Sequence, residues 1–95
     1  MQTKKLSDAE VLQALQALPH WRQEGQVIVR QHKCASYPAA CAFLMQVAFL
    51  AERHEHHPDI EWRYRDVTIR FTTHDVDGLS NLDVLLAEKI EALLG

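Results

Sequence analysis

Ninety-five residues and 10.9 kDa leave room for one domain, spanning positions 1–95. Hydrophobic residues at 47% and charged residues at 24% exclude a disordered tail, a collagen repeat and a low-complexity chain. Ten Lys+Arg against thirteen Asp+Glu, a net charge of −3, argue against a nucleic-acid partner held by phosphate contacts. A chain this short hides only about 60–65% of its unfolded surface on folding, so a homo-oligomer is expected.

In chain order, Ser7-Asp8-Ala9-Glu10 forms a capping box. The apolar stripe Val11, Leu12, Leu15 and Leu18 then predicts a first helix from about 8 to 17, stopped by Pro19. Trp21 to Cys34 reads as a hairpin turning at Glu24-Gly25-Gln26, with β-branched Val27-Ile28-Val29 in its second strand. Ser36 caps a second helix, expected over about 37–55, and Pro38 is tolerated in its first turn, where its amide would lack a partner anyway. This helix is apolar nearly all round, so part of it should face another subunit. Pro58 disfavours helical geometry at His57, which places the helix end at or just before the His56-His57 pair.

A strand over about Ile60–Tyr64 and a turn at Arg65-Asp66 lead to a second strand, Val67–His74. There Val67, Ile69 and Phe71 alternate with Thr68, Arg70 and Thr72, the pattern of a sheet with one buried face. After the Asp77-Gly78 turn, a second capping box, Ser80-Asn81-Leu82-Asp83, opens a third helix that carries Leu82, Leu85, Leu86, Ile90 and Leu93 to Gly95. The order α-β-β-α-β-β-α implies an α+β fold: a four-stranded antiparallel sheet with three helices packed on one face.

The opening residues are basic, acids follow at once, and no apolar signal core appears. The longest apolar stretch, Pro38 to Ala51, is interrupted by Gln46 and falls short of the about 20 residues a membrane span needs. A cytoplasmic protein with no membrane partner is expected. Cys34 and Cys41 lie in apolar surroundings and are expected as free, buried thiols.

Histidine is out of proportion: six in all, with His54, His56, His57 and His74 falling between positions 54 and 74. If the second helix persists, Glu52 and His56 stand four apart on one face, where a carboxylate fixes the proton-bearing nitrogen of an imidazole. His74 ends the predicted strand, and a helix end meeting a strand end makes a cleft. Three chemistries compete here. One is a solvated helix end. Another is a zinc-type site, although His-x-His-His matches no common structural-zinc spacing. The third is acid–base catalysis by the one side chain that both gives and takes protons near neutrality.

Glu52-x-x-x-His56-His57-Pro58, then five residues to Tyr64, nine to His74 and eight to Asp83, resembles the motif of the pterin-4a-carbinolamine dehydratases. Tyr64-Arg65-Asp66-Val67, Thr73-His74-Asp75, Gly78-Leu79, Trp21 and Val47-Ala48 fit the same family, and the resemblance covers about residues 19–85. The chain departs from it at His32 and Cys34, where relatives carry aromatics, and at Ile60, where many carry Trp.

The resemblance implies the same α+β fold, a homodimer or homotetramer, and a reaction: dehydration of 4a-hydroxytetrahydropterin to quinonoid dihydropterin. That reaction serves pterin recycling beside an aromatic amino acid hydroxylase. By resemblance His56, His57 and His74 are catalytic, and Glu52, Trp21 and Asp83 attend the substrate, Glu52 as an orienting carboxylate and Trp21 as a stacking wall. The resemblance calls for no metal and no cofactor, since the pterin is the substrate. Bland roles stand beside these for several residues: His54 and Asp75 at the surface, Tyr64 in sheet packing, Asp83 as a helix cap, Trp21 in the core, and Arg63, Arg65 and Arg70 on a solvated sheet face. Some members of the family act instead as dimerisation cofactors or assembly factors, which makes a non-catalytic interaction module the rival reading.

Overall fold

The computed structural model describes residues 2–95. Helix α1 (Asp8–Gln16) starts at Ser7, whose hydroxyl accepts from the Glu10 amide while Glu10 reaches back, so the expected capping box forms. Strands β1 (Trp21–Glu24) and β2 (Val27–Lys33) make the hairpin, and Gly25 takes the left-handed conformation (φ +62°) at its turn. Helix α2 (Tyr37–Arg53) follows, then β3 (Asp59–Arg63), β4 (Asp66–Phe71), a 3₁₀ turn (His74–Val76) and helix α3 (Asn81–Leu94). The sheet is antiparallel in the order β1-β2-β4-β3.

Register decides the two faces. The row Trp21, Arg30, Ile69, Ile60 crosses the helix-covered side, and the row Arg22, Val29, Arg70, Asp59 crosses the open side. Ile28, Val67, Ile69 and Phe71 pack under Val11 and Leu18 of the α1 segment, Phe43 and Val47 of α2, and Leu86 and Ile90 of α3. Burial of each such side chain contributes about 1.5–3 kcal/mol. On the open face Arg70 reaches Glu61 at 3.4 Å, as a solvated sheet surface should. Arg65 sits instead in the β3–β4 turn, over the Tyr64 ring.

Glu91 ties α3 to the sheet, accepting from the Trp21 indole at 2.8 Å and from Arg30 Nε at 2.7 Å. Burial pushes the Glu91 carboxyl up, but these two donors outweigh it and hold the group below its ordinary value.

Several expectations need correction. Leu12 does not join the core stripe; it is exposed. Helix α2 ends at Arg53, two residues short of the expected limit. His54 is the C-cap, Glu55 takes a left-handed φ of 51°, the Glu55 amide donates to Glu52 O, and the His56 amide donates to Ala51 O. These two bonds are a Schellman closure with glutamate where glycine is usual, so Pro58 is not what stops the helix. Strand β4 stops at Phe71, because Thr73 pairs with Gly78 across a tight loop and His74 enters the 3₁₀ turn. Tyr64 is not sheet packing. It is an exposed left-handed turn residue (φ 54°) stacked on Tyr37. Both cysteines are free thiols, but only Cys34 is buried; Cys41 is exposed on α2. Burial, with Asp66 nearby, pushes the Cys34 thiol up from its ordinary value.

Candidate active site

Three chain turns build the site. The closure after α2 carries Glu55, His56 and His57, the loop after β4 carries Thr72 to Asp75, and the first turn of α3 lies beneath both. Glu55, His56, His57, Thr72, Thr73, His74 and Asp75 line one cavity of about 240 Å³. His56 and His57 thus meet His74, seventeen positions further on, across it.

The histidines differ in surroundings. His56 is the enclosed one: its side chain is only 11% exposed and lies nearly parallel to the Phe71 ring, with centroids 5.6 Å apart. Its Nε2 meets Asp83 Oδ1 at 2.5 Å. Asp83 is fully buried, and its other oxygen accepts from Thr73 Oγ1 at 2.7 Å and from the Ser80 amide at 2.8 Å. His57 is open to solvent, its Nε2 2.9 Å from Glu52 Oε1, and His74 is exposed at the start of the 3₁₀ turn. One imidazole is therefore fixed by buried partners while two stand in water's reach. That division suits paired acid–base work.

The expected pairing of Glu52 with His56 does not form. The Schellman closure turns the chain away after Arg53, so His56 swings to Asp83 and Glu52 meets His57 instead. Asp83 is both the N3 residue of the α3 capping box and the anchor of His56, lying underneath the cavity and out of its lining. Trp21 is a core residue: buried, 6.1 Å from the Phe71 centroid and hydrogen-bonded to Glu91, it stands outside the cavity. His54 lines a separate hollow with Arg53 and Lys89. Asp75 is exposed, at the cavity rim.

Sequence reasoning missed Thr73. The signal was present, since Thr73 continues the inward series Val67, Ile69, Phe71, and a hydroxyl on a buried face must find a partner. Glu55 was missed because nothing in its side chain announces a left-handed cap. A larger hollow of about 710 Å³ lies over the open sheet face near Gln31, Lys33, Glu61 and Arg63, but the histidines converge elsewhere. Among the described residues, no three His, Cys, Asp or Glu side chains gather closely enough to hold a metal ion, and no helix is long and apolar enough to cross a membrane.

A small α+β domain with a histidine cavity at one end of its sheet defines the class, and comparison with known proteins gives the family. Residues 4–93 match the family model described as pterin 4 alpha carbinolamine dehydratase, and the chain belongs to that family. It is 46% identical over 91 residues to a Chloroflexus aurantiacus protein, covering 96% of this chain and 98% of that one. It is 45% identical over 93 residues to one from Nocardia farcinica, covering 98% of each. Both carry the dehydratase name as a provisional assignment. Among solved structures, a transcriptional coactivator/pterin dehydratase from Brucella melitensis superposes with a TM-score of 0.93 at 32% identity, covering 97% of this chain and all of the other. A pterin dehydratase-like RuBisCO assembly factor of the alpha-carboxysome superposes at 0.68 and 26% identity, covering 79% and 89%.

Proposed function

We propose that this chain dehydrates 4a-hydroxytetrahydropterin to quinonoid dihydropterin and water. The observation that carries the reading is the meeting of His56, His57 and His74 around one cavity, drawn from both sides of a hairpin. The reaction needs a base at N5 and an acid at the departing hydroxyl. As the N5 proton leaves, its electron pair forms the C4a=N5 double bond, the C4a–O bond breaks, and the oxygen takes a proton and departs as water. Nothing is oxidised or reduced, so the step runs on proton transfer alone, with the pterin as substrate and no resident cofactor. Each transfer contributes about 10²–10⁴-fold. Glu52 orients His57 in this scheme, and Asp83 serves the substrate through His56. The place of action is the cytoplasm, beside an aromatic amino acid hydroxylase whose product feeds the reaction.

The working unit is a homo-oligomer. Phe49 is 70% exposed and Met45 also stands free on α2, a large apolar face for so small a chain. Strand β3 presents an unpaired edge beside the exposed rings of Tyr37, Trp62 and Tyr64. Two β3 edges laid antiparallel about Glu61 would set Asp59 against Arg63 and Ile60 against Trp62. These same surfaces favour the second reading, an interaction module of the same fold.

A stopped assay following decay of 4a-hydroxytetrahydropterin separates the two. Acceleration by the wild-type chain, lowered at least about ten-fold in His56→Ala and in His74→Ala, supports the enzyme. Decay no faster than without protein leaves the interaction module.

A further inference from the structure

We propose that Thr73 and Ser80 form a one-way hydrogen-bond relay that fixes the Asp83 carboxylate against His56 Nε2, so that His56 Nδ1 is held as the base of the reaction. The directions follow from counting protons. Thr73 has one hydroxyl proton and gives it to Asp83 Oδ2 at 2.7 Å. In its 2.7 Å contact with Ser80 Oγ, Thr73 therefore accepts, and Ser80 donates. Ser80 Oγ in turn accepts from the Leu82 amide at 3.2 Å, at the N-terminus of α3. Protons thus point along one line: Leu82 amide, Ser80, Thr73, Asp83.

Asp83 receives a further proton from the Ser80 amide, so Oδ2 takes two donors and Oδ1 faces His56 Nε2. With Asp83 as a pure acceptor, Nε2 carries the hydrogen. That leaves Nδ1 with a free lone pair, and no hydrogen bond engages it among the described residues. Packing against Phe71 holds the ring in that orientation.

In the dehydration, Nδ1 takes the N5 proton as the C4a=N5 bond forms and C4a–O breaks. The hydroxyl leaves as water with a proton from one of the solvent-facing imidazoles, His57 or His74. His56 is then an imidazolium against the Asp83 carboxylate, a charge-assisted bond that is stronger in the charged state than before it. Thr73 is a positioning residue: its hydroxyl is engaged by Asp83 and Ser80, and it acts on His56 through Asp83.

The identity of the base rests on the dehydratase reading; the tautomer of His56 does not, and the test keeps the two apart. Nitrogen-15 NMR of the full chain above neutral pH reads which imidazole nitrogen bears the proton. The expected result is His56 protonated at Nε2 in the wild type, in Thr73→Val and in Thr73→Ser alike, since Asp83 stays the acceptor in all three, while the relay is read in the rate. In the pterin assay Thr73→Val is expected to lose about 10–100-fold in kcat, the usual scale for a partner behind a functional histidine, with KM changed less than about two-fold. Thr73→Ser is expected to recover most of that loss. A wild-type His56 protonated at Nδ1, or a folded Thr73→Val that turns over within about threefold of wild type, overturns the proposal. Should Thr73→Val not fold, the wild-type spectrum alone decides the tautomer. An Nε2–H tautomer with no pterin turnover would sustain the Asp83–His56 geometry and overturn the role of His56 as a base.

Discussion

Replacing Asp83 separates its two duties, capping α3 and holding His56. The buried carboxylate receives three donors: His56 Nε2, Thr73 Oγ1 and the Ser80 amide. Asp83→Ala removes all of them. Thr73 can turn to Ser80, but the imidazole and the amide stay behind unpaired, each costing about 1–3 kcal/mol. The Ser80 amide bond is itself the cap that is lost, so the two together come to about 2–6 kcal/mol. That is a large part of the about 5–15 kcal/mol a domain this size commands. Asp83→Asn keeps the shape. Its oxygen can still accept from Ser80 and Thr73, but its amide nitrogen then faces His56 Nε2, which must shed its proton to accept. The proton moves to Nδ1, the wrong tautomer for a base there. The same exchange beneath the triad histidine of serine proteases costs about 10⁴ in kcat. Urea melts followed by tryptophan fluorescence should place Asp83→Asn within about 1.5 kcal/mol of wild type, with the alanine variant far below. The pterin assay should find the asparagine variant down by about 10²–10⁴-fold. An Asp83→Asn chain that turns over within threefold of wild type would refute the role given to His56.

Glu55→Gly should raise stability by about 1 kcal/mol, because glycine adopts the left-handed C-cap geometry without penalty; a melting point about 4–8 °C higher would register it. Stability should fall in two steps on acidification. His32 is held below its ordinary value of 6.5 by burial and by Arg30, so as pH drops past that value protonation favours the unfolded chain. Glu91, held below its ordinary 4.5, contributes stability above that value and loses it as pH falls through the lower folded one. His32→Phe should erase the first step and Glu91→Gln the second, as read from urea melts across pH. Phe49→Glu should lower the mass measured by light scattering while sparing the fold, since that ring packs on nothing within the chain's core.

Most of the fold was legible because its signals are local. Two capping boxes, a Gly25 turn and the alternation Val67, Ile69, Phe71 each work through neighbours in sequence, and each stands where it was expected. The misplaced boundaries share a cause. Glu55, Tyr64 and Asp77 all take left-handed backbone without being glycine, at φ of 51°, 54° and 53°. Sequence punctuation reads Gly and Pro, so it found the turn at Asp77 from Gly78 beside it; it cannot see a turn that tertiary contacts impose on glutamate or tyrosine alone.

The candidate site depends on those same unreadable turns. Were α2 to persist to His56, Glu52 would hold that histidine on an exposed helix face, and Asp83 would lie buried without it. Ending the helix at Arg53 lets one peptide amide, that of His56, close the cap on Ala51 while its side chain drops onto the first turn of α3. The loop after β4 leaves its strand for the same reason of reach: Thr73 must arrive within 2.7 Å of both Ser80 and Asp83, and that carries His74 to the opposite wall of the cavity. The residue types were legible in the sequence; their partners were not, because each partner lies across a strained or irregular turn. Placing the site at three chain ends gives a buried acceptor to one histidine and open water to the other two, which a single helix face could not do.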